Sequence, residues 1–155
     1  MLKKILKKKN KSYNDLHTKK EMVTVSYIDF PYLMEKSTEG SIRIKTHGEC
    51  AINIYNGEGN KPHFHIESSD KENKWVCCIR LDTPKYFKHG EEKQGILSNY
   101  EIRKLIKILN SKSSGDPSLT VFETLCIIWN SDLNNTSKIK KPYKIPDYNK
   151  LNEKG

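Results

Sequence analysis

The hydrophobic period of this chain changes once, near residue 97, and that change limits its folds more than any other feature. Before it, apolar and β-branched residues alternate with polar ones, the period of two that places successive side chains on opposite faces of a strand. Met22–Ile28 (MVTVSYI), Ser41–Thr46 (SIRIKT), Cys50–Tyr55 (CAINIY), Pro62–Glu67 (PHFHIE) and Trp75–Leu81 (WVCCIRL) all read as strands. His47-Gly48 is a short Gly-containing connection that predicts a hairpin between the second and third runs, and Asn56-Gly57-Glu58-Gly59-Asn60 is a turn leading into the fourth.

After residue 97 the period becomes helical. Ile102, Leu105, Ile106 and Leu109 form one stripe, with Arg103, Lys104 and Lys107 on the other face. Ser98 and Glu101 have the spacing of a capping box, and Leu97 and Ile102 that of a hydrophobic staple. A second helix starts either at Thr120, where Glu123 completes another capping box, or one turn earlier at Asp116-Pro117. Phe122, Leu125, Cys126, Ile127, Ile128 and Trp129 are apolar nearly all round, which suits burial between a sheet and another helix. Strands followed by helices predict an α+β domain: an antiparallel meander of four to five strands with two helices packed on one face.

Charge divides the chain differently. The formal net charge is +9 over 155 residues, a length that fits one domain. Residues 1–20 contain eight lysines and one acid, a net of +7, and residues 138–155 contain six lysines and two acids, a net of +4. The stretch between them is close to neutral. The organisation expected is therefore a basic N-terminal arm (1–20), a single α+β domain (21–132) and an extended basic C-terminal tail (133–155), with Tyr143 and Tyr148 either strapping the tail to the body or leaving it disordered.

Lys3, Lys4, Lys7, Lys8, Lys9 and Lys11 are the candidate contacts to nucleic acid or an acidic protein surface, since such a block attracts phosphate or carboxylate. A solvated lysine-rich tail fits the same composition. Leu2, Ile5 and Leu6 lie at helical spacing among these lysines, too few apolar residues to anchor a membrane helix. No apolar run reaches the ~20 residues of a membrane span, and lysine interrupts any secretory core, so the expected location is cytoplasmic. The four cysteines form no Cys-x-x-Cys pair and are read as reduced, partly buried thiols.

One segment carries chemistry. In His63-Phe64-His65-Ile66-Glu67, strand alternation places His63, His65 and Glu67 on one face and Phe64 and Ile66 on the other. Same-face Cα atoms lie about 6.6 Å apart, near enough for two imidazoles to converge on one ion. The apolar pair is expected to face the helices, leaving the histidine face toward solvent or a cleft. His63, His65, Glu67 and His89 are the candidate ligands for a divalent metal such as zinc or manganese, and His47, Cys50 and Asp70 are further donors. A purely architectural role, with the rings hydrogen-bonded across the sheet, is the alternative. Gly57, then five intervening residues and His63-x-His65, matches the first half of a cupin pattern, but the second half is missing. The histidine-triad hydrolases have a third alternating histidine where Glu67 stands.

Asn60-Lys61-Pro62-His63-Phe64-His65 resembles the Asn-Pro-Pro-His-Phe-His signature of a family of short bacterial and phage domains of unknown function, some of them suspected toxin–antitoxin components. The similarity continues through Cys78-Ile79-Arg80-Leu81-Asp82, Tyr86-Phe87-x-His89-Gly90, Trp129-Asn130 and Pro146-Asp147-Tyr148, roughly residues 41–150, with Lys61 replacing one proline. The resemblance implies a role in conflict between bacteria and phages or plasmids, and no mechanism. Three functions are expected in order: a cytoplasmic module binding nucleic acid or an acidic protein surface; an inhibitor acting on a host or cognate protein partner; and a metal-assisted hydrolase or nuclease centred on His63, His65 and Glu67.

Overall fold

The computed structural model describes residues 21–30, 32–36, 40–46, 49–68, 74–88 and 94–153. The lysine arm (1–20), His47, Asp70 and His89 lie outside them. Chain order is β1 (Met22–Asp29), β2 (Tyr32–Lys36), β3 (Ile42–Thr46), β4 (Glu49–Tyr55), β5 (His63–Ser68), β6 (Val76–Arg80), β7 (Gln94–Ile96), α1 (Asn99–Leu109) and α2 (Val121–Ser131), with a 3-10 turn at Tyr148–Lys150. Among the described residues the fold is α+β: two helices and two antiparallel sheets, ordered β1-β4-β5-β6 and β3-β2-β7.

The second sheet departs from the sequence expectation. The 41–46 run pairs with β2, while β4 lies between β1 and β5 with both edges occupied, so the hairpin across His47-Gly48 does not form. β2 escapes pattern reading because its buried positions, Leu33 and Glu35, mix apolar with charged. β7 escapes it because it has three residues and a central glycine. That glycine has a steric reason: a Cβ on Gly95 would lie 2.2 Å from the Trp75 indole. The Trp75 ring N–H donates to the Met34 carbonyl at 2.7 Å and so ties the approach to β6 to the second sheet.

Both helices start at their capping boxes. Ser98 and Glu101 exchange hydrogen bonds at the head of α1, and Thr120 and Glu123 do the same for α2. Asp116, the rival start, instead accepts from the Ser118 backbone N–H and hydroxyl, closing a local turn. Ile102, Leu105 and Leu109 of α1 and Val121, Phe122, Leu125, Cys126 and Trp129 of α2 join Ile52, Ile54, Phe64, Ile66, Cys77 and Ile79 of the large sheet in one buried cluster. Burying each large apolar side chain is worth ~1.5–3 kcal/mol. Ile127 is the exception on α2 and stays exposed.

Residues 133–153 lie against the body. Asn130 donates to the Ile139 carbonyl (2.9 Å) and accepts from its N–H (2.8 Å), and the Trp129 ring N–H reaches the Ser137 carbonyl (2.8 Å). Tyr148 is fully buried, with its hydroxyl on the Arg80 carbonyl at 2.5 Å. Asn152 bridges the Leu97 carbonyl and the Tyr86 hydroxyl. Among the described residues, no helix is long and apolar enough to cross a membrane.

Candidate metal centre

β5 has neighbours on both edges, and its alternation separates two environments. Phe64 and Ile66 stand beside Ile79, Cys77 and Ile52 on the apolar face. On the opposite face His63 lies across from Arg80, His65 lies between Asn53 and Cys78, and Glu67 lies between Ala51 and Val76. This second face is closed rather than open to solvent. His63 is 1% and His65 8% exposed, because the Tyr55 ring packs 4.6 Å from His65 and the Phe87 ring 4.1 Å from His63. Trp129, near the end of α2, stands 5.6 Å from the His63 ring.

The carboxylate that meets the histidines is Glu58, from the turn between β4 and β5. Its Oε1 lies 3.3 Å from His65 Nε2 and 3.9 Å from His63 Nε2, and its side chain is 4% exposed. Donor atoms of Glu58, His63 and His65 all fall within 4.8 Å of one another, and this is the one such His/Cys/Asp/Glu group among the described residues. Ligands about 2.0–2.1 Å from a tetrahedral ion are roughly 3.4 Å apart, so this spacing suits a common ion after small side-chain adjustment. A buried carboxylate also requires compensating positive charge, which a proton on the facing imidazole or a bound cation can supply.

The imidazoles are oriented from behind. His63 Nδ1 is 2.7 Å from the Lys61 carbonyl, which can only accept; the neutral ring therefore carries its proton on Nδ1 and directs the Nε2 lone pair at Glu58. His65 Nδ1 lies 3.4 Å from Cys78 Sγ, which leaves its Nε2 toward the same point. Metal-ligating histidines characteristically use the second ring nitrogen this way, because the outer hydrogen bond fixes tautomer and orientation. Glu58 is delivered by backbone: Gly57 at φ 67° and Gly59 at φ 96° flank it, both in the left-handed region where a side chain is strained. The Gly57 N–H donates to Asp132 Oδ2, beyond the end of α2, at 2.5 Å.

The residues singled out from sequence therefore separate. His63 and His65 come together. Glu67 shares their face but is engaged elsewhere: its Oε1 accepts from the Tyr55 hydroxyl (2.5 Å) and from Asn53 Nδ2 (3.0 Å), while Asn53 Oδ1 accepts from Thr24 (2.7 Å). Burial first, and then Glu67, push the Tyr55 hydroxyl above its ordinary range, so it stays a donor. Cys50 sits on the apolar face, its thiol pushed up to about 12 chiefly by burial, and all four cysteines are buried and outside any disulfide. His89, His47, Asp70 and the arm residues Lys3, Lys4, Lys7, Lys8, Lys9 and Lys11 fall outside the described residues. Glu58 is the residue that sequence reasoning missed. Its signal was a carboxylate between two glycines, five residues before the first histidine. Compared with known proteins, the chain matches no family model, no curated protein and no solved structure.

Proposed function

We propose that this chain is a divalent-metal protein whose Glu58, His63 and His65 hold the ion and whose chemistry is metal-assisted hydrolysis. The observation that carries the reading is the convergence of one buried carboxylate and two outward-oriented Nε2 atoms on a single point. Two imidazoles and a carboxylate are a donor set suited to zinc, iron or manganese. The three protein ligands found among the described residues leave a coordination position for water, whose pKa a bound zinc lowers to about 7. The chain's own part is to fix the two rings through Lys61 and Cys78, supply the charge-neutralising carboxylate and wall the site with Tyr55 and Phe87. Metal analysis of the purified full chain tests it: one zinc, iron or manganese per chain is expected, and a metal-free protein that takes up none of these on titration would overturn it.

A second reading rests on charge. The +7 of residues 1–20 and the lysines of the tail favour a polyanionic partner, with nucleic acid ahead of an acidic protein. The metal site then lies on the body and the contact on the ends. Fluorescence titration with RNA and DNA at low and high salt addresses it; affinity that is absent at low salt, or unchanged by removing residues 1–20, would count against it.

A further inference from the structure

The turn that carries Glu58 does not hold itself in place. Gly57 and Gly59, at φ 67° and 96°, give it a backbone that folds easily and is just as easily lost, since glycine loses the most conformational freedom on ordering. At one end the turn is tied to the chain before β1: the Asn56 N–H donates to the Glu21 carbonyl, and the Glu21 N–H to Asn56 Oδ1 at 2.8 Å. Next to Glu58 itself the tie comes from far away in sequence. Asp132 Oδ2 accepts the Gly57 N–H at 2.5 Å across 75 residues.

Asp132 is in turn held by the start of the C-terminal strap. Its Oδ1 accepts from the Asn134 N–H at 2.9 Å, its carbonyl accepts from the Asn135 N–H at 3.1 Å, and Lys138 Nζ also reaches that carbonyl. Buried Asn135 caps the end of α2 by donating to the Trp129 carbonyl at 3.0 Å. One carboxylate thus joins two backbone N–H groups, one in the metal turn and one in the strap. The contact is charge-assisted, stronger than a neutral hydrogen bond.

We infer that Asp132 is a positioning residue for the metal centre, and that metal binding and docking of the 133–139 strap are coupled through it. The inference rests on the metal reading above. Asp132 contacts none of the ligand atoms; it acts by holding Gly57, and through it the Glu58 carboxylate, in register with His63 and His65. Coupling of this kind is reciprocal: what tightens the strap tightens the ion, and the ion protects the strap. A partner that pulls residues 133–139 off the end of α2 would release metal without touching a ligand.

The test is zinc titration by calorimetry on the full chain, its Asp132→Ala, Asp132→Asn and Asp147→Ala variants, with hydrogen exchange on the unaltered chain. Outer-sphere partners of metal ligands are typically worth ~10–100-fold in affinity, so Asp132→Ala is expected to bind zinc at least about tenfold more weakly. Asp132→Asn keeps an acceptor for the Gly57 N–H and is expected to fall between that variant and the unaltered chain. Asp147→Ala, whose carboxylate serves only a local contact with Asn149, is expected to stay within about twofold. In the unaltered chain zinc should slow exchange of the Gly57, Asn134 and Asn135 amides. Zinc binding that is indifferent to Asp132→Ala, or zinc that leaves those amides unprotected, overturns the inference while the metal reading stands. An unaltered chain that binds no zinc, iron or manganese overturns both.

Discussion

The two faces of β5 are built by opposite rules. Phe64 and Ile66 are fully buried against residues of the same kind from β4, β6 and the helices, and their partners are interchangeable in character: any close-packed apolar neighbour would serve. His63 and His65 are also buried, but each nitrogen that is placed has a named partner: a Lys61 carbonyl, a Cys78 thiol, a Glu58 carboxylate. One face of a six-residue strand holds the domain together. The other holds polar groups at a cost that only specific partners offset. Burial alone does not mark a core; what matters is whether the neighbours are generic or singular.

The largest effect that separates the faces is on stability. Phe64→Ala should lose about 3–5 kcal/mol in urea unfolding, and with it all metal binding, because the sheet itself is compromised. Glu58→Ala should do the reverse, weakening zinc binding by more than about 100-fold at a smaller cost in unfolding stability than Phe64→Ala, since the large apolar cluster is left intact. Equal stability losses in the two variants would erase the distinction.

Glu67 sharpens the comparison within the polar face. If its role is to anchor Tyr55 and Asn53, Glu67→Gln should lower stability by about 1–2 kcal/mol, the worth of charge-assisted hydrogen bonds, and leave zinc affinity within about threefold. A collapse of zinc binding in this variant would make Glu67 the ligand after all.

The effect confined to alkaline pH concerns the thiols of the apolar face. Burial raises Cys50 from 9.0 to about 12 and pushes Cys77 well above the same ordinary value. Both thiols bind protons more tightly folded than unfolded. The stability they contribute is therefore fully present below pH 9 and declines as pH climbs from about 9 toward 12. Unfolding measured across that range should show a plateau followed by a fall; stability that rises above pH 9 would contradict the burial.

How much of this was legible follows from the same contrast. The apolar face was readable because alternation is a local pattern, and both helix starts were readable because capping boxes are local too. The pairing of β3 was not. Its partner β2 carries a buried Glu35 that breaks the apolar alternation, and the short Gly connection at 47–48 mimics a hairpin. At the site, His63 and His65 were visible as a pair, whereas the carboxylate was assigned to Glu67 by strand alternation. Alternation fixes which face a side chain occupies. It does not say that Tyr55 and Asn53 will claim Glu67 from β4, or that a turn with two glycines will fold Glu58 back over the histidines. Turn residues have no periodicity to read, so their side chains are placed only by the tertiary structure.

The choice between the two carboxylates is the most direct test of the whole account. Zinc titration of the full chain should give one ion bound per chain, lost in Glu58→Ala and retained in Glu67→Ala. Retention in Glu58→Ala with loss in Glu67→Ala, or no uptake by the unaltered chain, would contradict it.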